Sequence, residues 1–101
     1  NMIVTNGENV FPIEIENTLK DCPGVEECCV IGVPDAERGE VAKALVHMEE
    51  GAAFDRDALE RFVRGKLSSI KVPHYLVDDF FKRGLKVDLG AIKERYGHAG
   101  E

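Results

Sequence analysis

Val25-Glu26-Glu27-Cys28-Cys29-Val30-Ile31-Gly32-Val33 and, after a polar interval, Val41-Ala42-Lys43-Ala44-Leu45-Val46-His47-Met48 are the stretches that decide the fold. Each reads as a strand. Pro34-Asp35 ends the first, and Glu49-Glu50-Gly51 ends the second. Between them, Asp35-Ala36-Glu37-Arg38-Gly39-Glu40 reads as a polar loop. Successive side chains of a strand point to opposite faces, so adjacent Cys28 and Cys29 are expected on the two faces of one sheet. By the same alternation Ala42, Ala44 and Val46 share a face.

Working outward, Met2-Ile3-Val4-Thr5 reads as a short strand and Asn6-Gly7 as a turn. Pro12 suits the first turn of a helix, where a missing N–H costs nothing. Phe11, Ile15, Leu19 and Cys22 recur at helical spacing, and Cys22-Pro23-Gly24 stops that helix. Glu14 and Glu16 lie early in it, where the helix dipole favours acids. Asp55 is the expected N-cap of a second helix running to about Ser69. Its predicted buried face is Leu59, Phe62, Val63, Lys66, Leu67 and Ile70, with the Lys66 stem along the edge. Val72-Pro73 ends it. His74 to Val77 reads as a third strand and Asp88 to Tyr96 as a last helix, with a frayed tail after Gly97. This order predicts an α+β fold: a small mixed domain with a short three-stranded sheet packed by helices, plus a short N-terminal strand-turn.

The sequence has 101 residues, the length of one domain with a modest core. A hydrophobic share of 44% against 32% charged residues fits a globular chain rather than a disordered one. A net charge of −6 argues against general nucleic-acid binding, which needs a cationic surface. No apolar run reaches the length of a membrane-spanning helix, and the N-terminus lacks the zones of a signal peptide. Cys22, Cys28 and Cys29 form no CxxC pair and have no histidine at zinc-ligand spacing. They read as reduced, partly buried thiols of a cytoplasmic protein. His47, His74 and His98 show no mutual spacing for a metal, and no metal ligand is assigned.

Four further stretches carry chemistry when read in order: Asn6-Gly7-Glu8-Asn9-Val10-Phe11-Pro12, Val30 to Glu40, Ile70-Lys71-Val72-Pro73, and Lys86-Val87-Asp88 followed by Ala91-Ile92-Lys93-Glu94-Arg95-Tyr96. Each has a plain reading alone: a tight turn before a helix, a strand and loop with a surface arginine, a helix stop, a solvated lysine. Together, and in this order, they resemble the C-terminal domain of the adenylate-forming enzymes, most closely the acyl-CoA synthetase branch. Two departures stand upstream of the lysine. Leu85 occupies a position where the family has glycine, and Phe81 one where it usually has proline. Lys82 is therefore the alternative to Lys86.

The resemblance implies the C-terminal, mobile domain, residues 1–101, of an ATP-dependent acid–thiol ligase of the fatty-acid-activating kind. Its partners are the large N-terminal domain of the same enzyme and a carboxylic acid substrate. ATP and CoA are the co-substrates, with magnesium expected on the missing domain. Lys86 is the implied catalytic residue, bridging carboxylate and α-phosphate during adenylation. Gly7, Glu8 and Asn9 are implied to line the passage for the pantetheine arm of CoA, and Arg38 to lie near the CoA phosphates. The domain is implied to swing between two poses, one for each half-reaction. The chain is expected to be cut at the family hinge and to be inactive alone. Two alternatives stand beside this reading. One is a stand-alone or degenerate binding or regulatory domain of the same fold. The other is an unrelated acidic α+β interaction module.

Overall fold

The computed structural model describes residues 2–79, 82–83 and 86–100, and of 82–83 and 86–87 the backbone alone. The chain opens with a tight hairpin. Strands β1 (Ile3–Thr5) and β2 (Glu8–Val10) pair antiparallel, with Thr5 opposite Glu8. The two residues between them, Asn6 at φ 51° and Gly7 at φ 78°, both take positive φ. That pair of angles marks the two-residue turn whose twist matches its strands, and Asn-Gly is its strongest sequence signal. The strand after the turn is an addition to the sequence reading.

Helix α1 (Pro12–Lys20) starts with its proline in the first turn and buries Ile15 and Leu19. Phe11 was expected on that buried face. Instead it sits at the N-cap in extended conformation, 49% exposed. The helix begins one residue later than the apolar repeat suggests.

Strands β3 (Val25–Asp35) and β4 (Gly39–Met48) form a long antiparallel hairpin with a bulge between Val25 and Glu27. β3 continues through Pro34, which faces Glu40 in the ladder. The N–H groups of Cys28 and Val30 point to the outer edge of β3, and alternation puts Pro34 in the same row. No ladder bond is lost there, so proline is tolerated. Glu16 accepts the Val30 N–H at 2.8 Å, and Glu27 accepts that of Cys28 at 3.1 Å.

Helix α2 (Arg56–Arg64) is capped by Asp55, whose carboxylate accepts the Ala58 N–H at 3.1 Å. It ends at Gly65 rather than near Ser69. Leu67 reaches the core from the turn that follows, ahead of a short 3-10 helix at Ser69–Lys71. Lys66 is exposed, its ammonium 5.3 Å from the centre of the Phe62 ring. Strand β5 (Tyr75–Asp78) runs parallel to β4. Strands β6 (Lys82–Arg83) and β7 (Lys86–Val87) pair with each other, and α3 (Leu89–Tyr96) follows.

The three expected strands, β3, β4 and β5, pair around β4, and the N-terminal hairpin extends the sheet to five, in the order β2-β1-β4-β3 with β5 also on β4. β1 and β5 share one edge of β4. β1 meets it at Gly39, and β5 meets it from Lys43 to Val46. Both faces are covered. Cys28, Val30, Ala42, Ala44 and Val46 pack with Ile15 and Leu19 of α1 and with Leu59 and Val63 of α2. Cys29, Ile31, Val33, Val41 and Leu45 pack with Ile92 and Tyr96 of α3. The adjacent cysteines therefore serve opposite cores.

Candidate functional site

The N-terminal turn is fastened to the β3–β4 turn. The Asn6 N–H donates to the Arg38 carbonyl at 2.9 Å, and the Thr5 hydroxyl donates to the Glu40 carbonyl at 2.7 Å. The Val4 N–H donates to the Glu40 carboxylate at 2.9 Å. Two turns far apart in sequence thus form one rim.

The Arg38 turn is shaped by Asp35. Its carboxylate accepts the N–H groups of Arg38 at 2.8 Å and Glu37 at 3.2 Å. The Arg38 N–H first, with help from the Glu37 N–H and the guanidinium, holds the Asp35 carboxyl below its usual range. The Arg38 guanidinium lies 3.6 Å from that carboxylate and stays 42% exposed. In water such a pair is weak, so Arg38 can turn to another anion at little cost.

This rim borders an open groove of about 550 Å³ whose lining includes Asn6, Glu8, Arg38, Arg64, Ser69 and His74. Arg64 comes from the end of α2 and His74 from the residue just before β5. Glu60 orients Arg64 through a 2.9 Å contact to Nε and also takes Arg56 at 3.3 Å. The Arg64 hydrogen bond is the main reason the Glu60 carboxyl is held below its usual range. Arg38, Arg64, His74 and Ser69 thus line one groove with the Glu8 carboxylate, while Asp35 and Glu60 partner the two guanidinium groups. That donor set suits a phosphate-bearing ligand.

The structure brings Glu8 and Arg38 together beside the Gly7 turn. Gly7 sits at the tip, and a side chain built there would meet no atom of the chain within 4 Å. Asn9 pairs with Val4 and does not line the groove; alternation turns it to the other face from Glu8. Sequence reasoning missed Arg64 and His74. No local pattern marks them, because only the packing of α2 and β5 on the sheet carries them to the rim.

The lysine region is a short ladder. Lys86 lies opposite Arg83, and Lys82 lies opposite Val87, so the two candidate lysines sit on opposite strands of one hairpin. Leu85 and Phe81, where the sequence departs from the family pattern, lie outside the described residues. β7 leads straight into Asp88, whose carboxylate caps α3 by accepting the Ala91 N–H at 3.0 Å.

Neither core cysteine is a nucleophile. Burial pushes the Cys28 thiol up to about 12 and the Cys29 thiol up to about 11, and all three cysteines are free thiols. Among the described residues no group of His, Cys, Asp and Glu side chains gathers as a metal site, and no helix is long and apolar enough to cross a membrane.

A five-stranded sheet with two helices on one face and one on the other, with a two-stranded hairpin leading into the last helix, defines a class of small mixed α/β domain. Residues 14–83 match the family model described as AMP-binding enzyme C-terminal domain. The chain is 42% identical to a feruloyl-CoA synthase of Amycolatopsis sp over 95% of its own length and 20% of that protein. It superposes on a Mycobacterium tuberculosis fatty acyl CoA synthetase with a TM-score of 0.84 at 31% identity, covering 95% of this chain and 20% of that one. It superposes equally on ATP-bound MatB from Rhodopseudomonas palustris, with a TM-score of 0.84 at 35% identity and the same coverage of 95% and 20%. The chain belongs to the AMP-binding enzyme C-terminal domain family of the adenylate-forming superfamily. It spans only 20% of the length of these relatives.

Proposed function

We propose that this chain is the C-terminal domain of an acyl-CoA synthetase-like ligase and serves both halves of its reaction. In the first half a carboxylate oxygen attacks the α-phosphorus of ATP, and the bond to pyrophosphate breaks. Lys86 supplies the cation between the two approaching anions, lowering their repulsion as charge builds. In the second half the CoA sulfur attacks the acyl carbon, and AMP leaves. The Gly7 turn then flanks the pantetheine arm, and Glu8 and Arg38 line the groove beside it. Magnesium travels with ATP and is held by the larger domain.

The observation that carries this reading is the groove. It brings Asn6 and Glu8, on either side of Gly7, to one opening with Arg38, Arg64 and His74. A larger partner domain is supported by exposed apolar side chains at the start of the chain: Met2 at 48%, Phe11 at 49% and Ile13 at 59%.

The test separates the half-reactions in the full-length enzyme. Lys86→Ala is expected to slow acyl-adenylate formation by two to three orders of magnitude, roughly 3–4 kcal/mol, and to leave thioester formation from supplied acyl-adenylate nearly intact. Gly7→Leu is expected to depress thioester formation and spare adenylation in the enzyme that stays folded, with a lower Tm because a leucine at φ 78° strains the turn. Equal loss in both steps, or a larger effect from Lys82→Ala, would defeat the assignment. The 101 residues alone are expected to release no pyrophosphate above background, and robust adenylation by them would overturn the domain reading.

A further inference from the structure

Lys43 is a cation at the centre of the sheet for which the proposed reaction has no use. It lies in β4 between Ala42 and Ala44, and it is 0% exposed. Burying an ammonium is costly unless its donors are met. Its Nζ donates to the carbonyls of Tyr96 at 2.8 Å and His98 at 2.6 Å, and it lies 5.4 Å from the centre of the Tyr75 ring. The Tyr96 carbonyl is at the C-terminal end of α3, where the helix leaves acceptors unmet and its dipole is negative, and that of His98 lies just past the helix. His98, in the tail expected to fray, is tied to the sheet at this point.

The other contacts of α3 make it a rigid link. Ile92 and Tyr96 are buried against the sheet, and the Tyr96 hydroxyl donates to the Asp79 carboxylate just past β5. Asp88 caps the opposite end of α3, and Lys86 lies two residues before that cap in β7. One short helix therefore connects the buried ammonium of Lys43 to the backbone that presents Lys86.

We infer that Lys43 is a positioning residue: by locking the C-terminal end of α3 to the sheet it fixes where the β6–β7 hairpin presents Lys86 during acyl-adenylate formation. This rests on the reading of Lys86 above. An apolar residue could fill the same space in a strand centre, and buried charges are often no more stabilising than such replacements. A charge with two directed hydrogen bonds sets a geometry that an apolar contact does not. Transition-state contacts demand such geometry, because a misplacement of about 1 Å can cost about a hundredfold in rate.

The experiment is a double-mutant cycle in the full-length enzyme, using Lys43→Met, Lys86→Ala and the double variant, with both half-reactions measured. Lys43→Met is expected to lower kcat for adenylation at least about tenfold, with KM for ATP and thioester formation within about twofold. In the Lys86→Ala background Lys43→Met is expected to add no more than about a twofold loss, since the group it positions is gone. Wild-type adenylation by Lys43→Met, fully multiplicative losses in the double variant, or equal losses in both half-reactions would overturn the inference. Wild-type adenylation by Lys86→Ala would instead overturn the Lys86 assignment, and this inference with it. If Lys43→Met yields no soluble enzyme, Lys43→Gln, which keeps a donor for one carbonyl, is read against the same outcomes.

Discussion

The two faces of the sheet are closed by different physics. Under α1 and α2, Ile15, Leu19, Leu59 and Val63 meet Val30, Ala44 and Val46, and most of the attraction comes from apolar area without direction, with the Val30 N–H donating to the Glu16 carboxylate as a directed contact at the sheet edge. Under α3 only Ile92 and Tyr96 are fully delivered by the helix, and hydrogen bonds from Lys43 and Tyr96 complete the attachment. Area holds elements together, and directed bonds hold them in one place. The first face acts as the foundation of the domain. The second holds a short helix in a fixed relation to the lysine hairpin before it.

The largest effect that would test this contrast is on the first face. Leu19 is 0% exposed, so Leu19→Ala should cost about 2–5 kcal/mol of unfolding free energy, seen as a lower Tm. The ratio of the two half-reactions in the folded full-length enzyme should stay unchanged, and a shifted ratio would break the contrast. Tyr96→Phe should cost about 1 kcal/mol in stability, yet it should slow adenylation more than thioester formation. If it lowers Tm and leaves both rates alone, α3 is simply another packed helix. Asp55→Ala should remove the α2 cap for about 1 kcal/mol, with Tm the only quantity that moves.

The smallest effect concerns Glu16 and depends on pH. Burial raises its carboxyl above the ordinary range, although the Val30 N–H works against that. The folded chain therefore holds this proton more tightly than the unfolded chain. Its contribution to stability is fullest below the unfolded value and is lost as pH rises through the folded one. Glu16→Gln, whose amide oxygen can still accept the Val30 N–H, should gain on wild type as pH rises across that window. A Tm difference that is flat with pH would show that Glu16 is no more buried than a surface acid.

What could be read from the sequence follows the same division. The β3–β4 pair, the opposite faces of Cys28 and Cys29 and the Asp55 cap were all legible, because each is a local pattern of alternation or capping. The Gly7 turn was legible from Asn-Gly, although the strand beyond it was not. α2 stops at Gly65 because tertiary packing takes Leu67 from a turn, and the helical repeat could not show that. Phe11 fitted the same repeat and lies outside the core. Arg64 and His74 come from elements that only the sheet brings together. Lys43 was hidden most completely. A lysine inside an apolar strand reads as a solvent-facing position, and its acceptors lie at the far end of the chain.

The outer edge of β3 has a consequence for how these molecules behave in company. The strand is 11 residues long, and among the described residues no other strand pairs with that edge. A bare edge of that length invites the same edge of a second molecule and, repeated, a growing stack. Here the Glu16 carboxylate occupies the Val30 N–H, that of Glu27 occupies the Cys28 N–H, and Pro34 has no N–H to offer. Two glutamates and a proline thus keep the longest strand from becoming a template. At high concentration, resistance to self-assembly should depend more on those three side chains than on the net charge of the chain.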